Sequence, residues 1–247
     1  FCAVRMMGWA GPVAVGVALR CVIGAVRLFL FQGLRALPIA VLAIGLVHAQ
    51  TPATLLVVGD SLSAGYGMRS EQSWPSLLAQ RIAQHRLPWR VVNASISGDT
   101  SANGLSRLPA ALERNKPGLV ILALGANDGL RGLPLAALRD NLSAMIELCK
   151  RRGVRVLLVG MRLPPNFGPE YTQGFERVYA ELARATRVPW VPFLLDGFAA
   201  DRASFQEDGI HPTAAVQVRM LDNVWSKLEP MLGAPARPGR RATTANR

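Results

Sequence analysis

After residue 50, short apolar runs rich in β-branched side chains alternate with longer amphipathic segments. The apolar runs cover residues 54–58, 90–93, 119–124, 154–160 and 189–193. The segments with apolar residues every three or four positions cover residues 71–85, 101–115, 134–152, 171–186 and 214–232. Continuous apolar strands between amphipathic helices indicate a parallel sheet that is covered on both faces. The pattern therefore predicts a three-layer α/β/α domain with a five-stranded parallel sheet.

Polar residues and glycines follow the first three predicted strands where each strand ends. Ser61 comes after the first run, Gly98 lies in the loop after the second, and Asn127 follows the third. Ligands of open α/β sheets bind outside the carboxyl ends of the strands. We therefore expect these three residues to belong to one site.

Ser61, Asp208 and His211 supply the side chains that turn a weakly acidic hydroxyl into a nucleophile. A histidine base for Ser61 must be His211, because His48 lies in the N-terminal segment and His85 ends an exposed helix. The three-residue spacing lets a turn place Asp208 against one ring nitrogen while the other faces outward. The alternatives are that Ser61 and Asp208 only cap helices, and Glu207 is a second candidate acid.

Transfer of an acyl group also needs hydrogen-bond donors for the developing oxyanion. Three candidates are the Ser61 amide, the Gly98 amide, which has no side chain to block it, and the side-chain amide of Asn127. For Gly98 and Asn127, ordinary roles in turns are the alternative interpretation.

Five motifs, in order, resemble those of the GDSL (or SGNH) hydrolase family. They are Gly59-Asp60-Ser61-Leu62-Ser63-Ala64-Gly65-Tyr66, the segment from Val92 to Ser101 around Gly98, Asn127-Asp128-Gly129-Leu130-Arg131-Gly132, Arg162-Leu163-Pro164 and Asp208-Gly209-Ile210-His211-Pro212. The similarity covers about residues 53–232 and is strongest to the family's periplasmic enzymes, which act as acyl-CoA thioesterase, lysophospholipase and arylesterase.

The resemblance implies a flavodoxin-like sheet with Ser61 as nucleophile, His211 as base and Asp208 as the residue that orients it. It also implies an oxyanion hole of Ser61, Gly98 and Asn127. One departure is Ala126, which stands where these enzymes often have glycine; its methyl group is expected to narrow the pocket without removing the donor. Ser63 replaces the second glycine of Gly-x-Ser-x-Gly, which disfavours the nucleophile elbow of α/β-hydrolases.

Two loops are candidate walls of an apolar groove for the acyl chain. Leu130 and Leu133 lie in the first loop, and Pro164 and Phe167 lie in the second. Ordinary connecting loops are the alternative. We predict hydrolysis of carboxylic esters, thioesters or lysophospholipids. The rival hypotheses are a carbohydrate deacetylase on the same fold and a non-catalytic flavodoxin-like binding protein.

The ends of the chain differ from its middle in charge and hydropathy. Residues 1–49 and the last twelve residues each hold four arginines and no acid, so removing these eight charges from the total of +12 leaves +4 for residues 50–235. Residues 1–49 resemble a signal peptide with cleavage near Ala49–Gln50, which predicts export to the periplasm. An uncleaved anchor in the inner membrane is the alternative. Residues 50–232 form the predicted hydrolase domain, and residues 233–247 a basic flexible tail.

Several partners and cofactors are not expected. The histidines, cysteines and acids lack the spacing of a metal site, and the proposed chemistry needs no cofactor. No nucleic-acid motif is present, although a basic tail can contact anionic lipid or nucleic acid, so transient contact with a membrane surface is an expectation. Cys149 lies on a helical face and is expected to be an inert buried thiol. We expect a monomer.

Overall fold

A five-stranded parallel sheet forms the centre of the computed structural model, which describes residues 51–233. Predictions on residues 1–49, and on the tail beyond residue 233, lie outside the described residues. The strands are β1 (Ala53–Gly59), β2 (Trp89–Asn93), β3 (Leu119–Ala123), β4 (Arg155–Val159) and β5 (Trp190–Val191). Their order is β2-β1-β3-β4-β5 with every neighbouring pair parallel. This is the flavodoxin-like order, so the predicted fold class is confirmed.

Seven α-helices connect and follow the strands in the described residues. They are α1 (Ser61–Ala64), α2 (Trp74–Gln84), α3 (Ser101–Asn115), α4 (Ala126–Leu130), α5 (Leu135–Arg151), α6 (Pro169–Thr186) and α7 (Gln217–Leu228). The five long helices were predicted. The short helices α1 and α4 were not, because a single turn carries too few residues to show an amphipathic period.

Prolines shift two of the predicted boundaries. The strand predicted at residues 189–193 is reduced to Trp190–Val191, which lies between Pro189 and Pro192. Proline has no amide hydrogen to donate to a neighbouring strand. The last predicted helix is interrupted in a similar way, because Pro230 lies in the 3-10 turn Glu229–Met231 that follows α7.

Side chains of β1 alternate between two cores, one on each face of the sheet. Leu55 and Val57 pack in the core that also contains residues of α2 and α7. Leu56 and Val58 pack in the core formed with α3, α5 and α6. All four are fully buried, and each such burial is worth about 1.5–3 kcal/mol. The two cores therefore enclose β1 from both faces of the sheet.

Cys149 lies in the core on α5 and has no exposed surface. Burial raises the pKa of its thiol to about 12, which keeps it protonated. The prediction of a buried thiol is therefore confirmed. Between residues 51 and 233, no helix is both long enough and apolar enough to cross a membrane.

The chain order fixes where loops can meet. From β1, which lies between β2 and β3 in the sheet, the chain goes first to β2 on one side and then returns to β3 on the other. The loops that follow β1 and β3 diverge at this point and leave a crevice at the carboxyl edge of the sheet. Ser61 is separated from the end of β1 only by Asp60, so it lies at this crevice.

Candidate active site

Three side chains predicted to act together lie in one hydrogen-bonded row. The Nε2 atom of His211 is 2.9 Å from Oγ of Ser61. Its Nδ1 atom is 2.6 Å from Oδ2 of Asp208. With these distances His211 can accept the hydroxyl proton of Ser61 while Asp208 holds the ring and its tautomer. Residues 150 positions apart in the chain thus form a unit able to activate a serine.

The turn between Asp208 and His211 is held by the carboxylate itself. Oδ1 of Asp208 accepts hydrogen bonds from the amides of Ile210 (2.9 Å) and His211 (3.0 Å). The backbone and side-chain hydrogen bonds from His211, together with the Ile210 amide, lower the pKa of Asp208 to about 2. Asp208 therefore caps this turn with one carboxylate oxygen and contacts the imidazole with the other. It is Asp208, and not the adjacent Glu207, that contacts His211.

Ser61 is not the cap of the helix it starts. The N-cap of α1 is Asp60, whose carboxylate accepts a hydrogen bond of 3.0 Å from the Leu62 amide. Ser61 is the first residue of the helix, so its own amide has no partner within the helix. Burial raises the pKa of Asp60 to about 7. The capping interpretation of Ser61 is thus wrong, and the preference of aspartate for N-caps could have identified Asp60.

Gly98, in the loop after β2, and Asn127, in α4, lie close together. Gly98 has a φ of +84°, a conformation that side chains disfavour, and a Cβ atom there would meet only the Arg131 guanidinium, at 4.0 Å. The Asn127 side chain donates one amide hydrogen to the Asp99 carbonyl oxygen at 3.0 Å. A carboxamide has two such hydrogens. This bond orients the group beside the Gly98 peptide.

A glycine permits the turn that presents Asn127. Gly125, the N-cap of α4, has a φ of +117°, and a Cβ atom there would lie 2.2 Å from the Tyr179 hydroxyl oxygen. That hydroxyl donates a hydrogen bond of 3.0 Å to the Leu124 carbonyl. Ala126 is buried and belongs to the core that also contains residues of α2 and α7. Its methyl group therefore packs into the interior beneath the site.

Arg107 of α3 connects the loops of the site through hydrogen bonds, a role that the sequence did not predict. Its Nε atom is 2.6 Å from Oδ2 of Asp99. Its two terminal nitrogens donate to the carbonyl oxygens of Ala94 (2.5 Å) and Gly59 (3.2 Å). One guanidinium thus joins the end of β1 to the loop that carries Gly98. Its helical position resembles any exposed arginine, so the sequence contains no signal for this role.

Asp128 makes a second buried link that was not predicted. Its two carboxylate oxygens accept from the amide (2.8 Å) and the hydroxyl (2.5 Å) of Ser101, the first residue of α3. Asn141 of α5 in turn donates to the Ser101 hydroxyl at 3.0 Å. The helix that carries Asn127 is thereby fixed to α3 and α5. The position of Asp128 directly after Asn127 is the one sequence feature that pointed to this carboxylate.

The two loops predicted to form an acyl groove lie against each other. A Cβ atom at Gly129 would lie 2.6 Å from Cδ2 of Leu163. The hydroxyl of Tyr171, in the helix α6 that follows the second loop, donates to the Leu133 carbonyl at 2.7 Å. Leu133 is 36% exposed. Of the other candidates, Leu130 and Phe167 are half-buried and Pro164 is exposed. These positions are compatible with a groove, whose role stays a prediction.

Comparisons with known proteins give a consistent result. Residues 57–218 match the model of the GDSL-like Lipase/Acylhydrolase family. The chain is 50% identical to "Esterase TesA" of Pseudomonas aeruginosa over 192 residues, which cover 77% of this chain and 96% of that protein. It is 38% identical to "Thioesterase 1/protease 1/lysophospholipase L1" of Escherichia coli over 200 residues, or 79% and 93% of the two chains. A crystal structure of TesA superimposes with a TM-score of 0.71 at 51% identity, covering 72% and 99%.

Proposed function

Because the chain belongs to the GDSL-like lipase/acylhydrolase family, we propose that it hydrolyses carboxylic esters and thioesters by transferring the acyl group to Ser61 and then to water. The observation that carries this proposal is the row of hydrogen bonds from Ser61 to His211 and from His211 to Asp208. The names of the relatives, an esterase and a thioesterase/lysophospholipase, support the same two bond types.

In the first half of the reaction, Ser61 Oγ attacks the carbonyl carbon while His211 Nε2 takes its proton. The Asp208 carboxylate stabilises the imidazolium that forms, and it stays ionised because its pKa is lowered to about 2. When the carbon–oxygen or carbon–sulfur bond breaks, His211 returns the proton to the leaving atom. Water then attacks the acyl-enzyme by the same sequence, with His211 again as base and acid. No step needs a metal or a cofactor.

Negative charge on the carbonyl oxygen is stabilised by the amides of Ser61 and Gly98 and by the side chain of Asn127. Support comes from the unpaired position of the Ser61 amide at the start of α1 and from the φ of +84° at Gly98. The hydrogen bond from Asn127 to Asp99 fixes the carboxamide before substrate arrives. Donors held in advance lower the barrier because no reorganisation accompanies the charge transfer.

Replacing Asn127 by alanine is expected to reduce kcat by a factor of about 10²–10³. KM should change little, because the oxyanion exists only in the transition state and not in the bound ester. Steady-state kinetics on p-nitrophenyl butyrate measure both constants. The control is Asn103→Ala, which removes an exposed carboxamide from the same region. A rise in KM with kcat unchanged would assign Asn127 to ground-state binding instead.

Among substrates, we propose medium to long acyl chains that lie along Leu130, Leu133, Pro164 and Phe167. The close approach of Gly129, at the start of the first loop, to the Leu163 side chain of the second loop supports this assignment. The leaving group would be a coenzyme A thiol, a lysophospholipid glycerol or an aryl alcohol. The enzyme acts on small molecules as a monomer.

Exposed apolar side chains support transient contact with a lipid surface. Four of the five large apolar side chains that are exposed in the described part of the chain belong to loops around the Ser61–His211 pair; they are Tyr66, Ile96, Leu133 and Ile210. Such groupings are typical of binding faces, whereas scattered apolar residues are not. We also propose that residues 1–49 direct export to the periplasm and are removed, that residues 50–232 are the catalytic domain, and that residues 233–247 form a flexible tail.

A chain-length series tests the proposed substrate class. Activity on p-nitrophenyl esters is expected to rise from acetate towards octanoate, and acyl-CoA and lysophospholipid should also be hydrolysed. The measurement is kcat/KM for each substrate at equal enzyme concentration, with Leu133→Ala as a variant expected to shift the preferred chain length. A maximum at acetate that collapses by octanoate would instead support a carbohydrate deacetylase.

A further inference from the structure

Tyr66 covers one face of the catalytic histidine although half of its own surface is exposed. The centroids of the Tyr66 and His211 rings are 4.3 Å apart, and the ring planes are tilted by 32°. Gln206 holds this arrangement: its side chain donates to the Tyr66 carbonyl at 2.9 Å, and its amide donates to the His211 carbonyl at 2.8 Å. The segment after α1 and the strand-like segment before His211 are thereby joined.

A pocket opens directly beside this junction. It has a volume of about 660 Å³ and is lined by Gly67, Met68, Arg69, Gln72, Gln206, Thr213 and Ala214. Gly67 and Gln206 pack tightly in its wall: Gly67 has a φ of +71°, and a Cβ atom there would lie 2.1 Å from the side-chain oxygen of Gln206. Thr213 and Ala214 follow His211 by two and three residues, so the pocket starts within about 7–10 Å of the catalytic base along the chain. Its size is that of a small-molecule site.

The tetrahedral intermediate determines which part of a substrate can face this pocket. The reacting carbon is bonded to Ser61 Oγ, to the oxyanion near Gly98 and Asn127, to the acyl chain and to the leaving atom. The leaving atom must lie beside His211 Nε2, because it takes its proton there. The acyl chain is directed to the loops of Leu133 and Phe167. The atoms beyond the leaving atom therefore start beside His211, whose ring is covered on one face by Tyr66.

We propose that the pocket between residues 67–72 and 206–214 binds the leaving group of the substrate. This inference rests on the proposed hydrolase function and extends it. Breakdown of the intermediate re-forms the carbonyl, leaves Ser61 acylated and releases the leaving oxygen or sulfur with the proton from His211. The protonated alcohol or thiol then occupies the pocket and leaves through its open side.

The side chains that line the pocket indicate which leaving groups it would bind. Gln72 and Thr213 offer an amide and a hydroxyl, whereas Met68 and Ala214 offer apolar contact. The charge of Arg69 is partly neutralised, because its Nε atom pairs with Glu71 at 3.0 Å. The pocket thus suits a neutral polar chain, such as a glycerol alcohol or an amide-bearing thiol, better than a plain alkyl alcohol.

The test varies the leaving group while the acyl group is kept as butyryl. Glycerol monobutyrate and butyryl-N-acetylcysteamine reach into the pocket, whereas ethyl butyrate ends two carbons beyond the leaving oxygen. Ala214→Trp, which fills the pocket, is expected to lower kcat/KM for the two longer substrates about tenfold and to change the value for ethyl butyrate less than about twofold. Thr213→Val removes one hydroxyl and should reduce the same preference by about threefold.

The matched control is Leu133→Ala, on the acyl side, which should leave the ratio between leaving groups unchanged. Ratios in Ala214→Trp and Thr213→Val that equal the wild-type ratio, or an equal loss on all three substrates, overturn the proposal. Hydrolysis of ethyl butyrate by each variant shows that it is folded. A wild-type protein that hydrolyses neither the butyryl substrates nor any p-nitrophenyl ester from acetate to octanoate would overturn the hydrolase function itself, which is a different result.

Discussion

Replacing Ser61 by alanine is expected to lower kcat by a factor of ~10⁴–10⁶, and replacing His211 by alanine to lower it by a similar factor. The reason is that the two side chains act as one unit: without the base the hydroxyl is a poor nucleophile, and without the hydroxyl the base has no proton to take. The variant with both changes should therefore be no slower than either single variant. The measurement is hydrolysis of p-nitrophenyl butyrate at high enzyme concentration.

Two controls from the same chain make this result specific. Ser63→Ala is the same chemical change two residues further along α1. The Ser63 hydroxyl oxygen is buried and has no hydrogen-bond partner among residues 51–233, so its loss should leave activity within about threefold. His85→Ala removes an exposed imidazole that contacts Trp225, far along the chain from the site. Substantial activity in a folded Ser61→Ala protein, or multiplied losses in the double variant, would contradict the proposed pair.

Replacing Asp208 by asparagine should reduce kcat/KM near neutral pH by about 10³–10⁴-fold. An asparagine can turn its amide towards Nδ1 of His211, which favours the tautomer with the proton on the wrong nitrogen. It also removes the charge that stabilises the imidazolium. The turn itself should survive, because the asparagine oxygen can still accept from the amides of Ile210 and His211. Thermal unfolding measures whether the fold is retained.

The pH dependence adds an independent check on Asp208. Hydrogen bonds from His211 and Ile210 lower the pKa of this carboxyl to about 2. The stabilisation by its charge is therefore complete above the ordinary aspartate value, ~3.9, and is lost as the pH falls through about 2. The wild-type enzyme should show no change assignable to Asp208 between pH 5 and 9. Glu207→Gln is the control, and it should keep the wild-type rate; a loss equal to that of Asp208→Asn would identify Glu207 as the functional acid.

The sequence was sufficient for the features that depend on order and periodicity. The alternation of strands and helices predicted the parallel sheet. The positions of Ser61, Gly98 and Asn127 after successive strands predicted that they lie in one site. The three-residue spacing of Asp208 and His211 predicted one turn because its geometry is local. The shortening of the last strand was also readable, since Pro189 and Pro192 flank it, but the apolar pattern outweighed them.

Features that depend on long-range side-chain contacts could not be read in this way. Arg107 reaches three backbone or carboxylate groups that are 8–48 residues away in the chain. Gln206 binds Tyr66 across 140 residues. Both look like ordinary surface residues in the sequence, because a polar side chain shows no periodic signal that reveals its partner. The raised pKa of Asp60 likewise depends on burial by residues from other strands and loops.

The position of His211 in the last segment of the domain determines when the site can become active. The catalytic base, His211, lies near the end of the domain. The end of the domain is held by hydrogen bonds that Trp89 and Arg155 donate to the carbonyl oxygens of Leu232 and Met231. Synthesis proceeds from the N-terminus, so a chain emerges with its nucleophile first and its base nearly last. An incomplete chain has a serine but nothing to ionise it. Hydrolysis of acyl bonds is therefore expected to start only when the whole domain has been synthesised and folded.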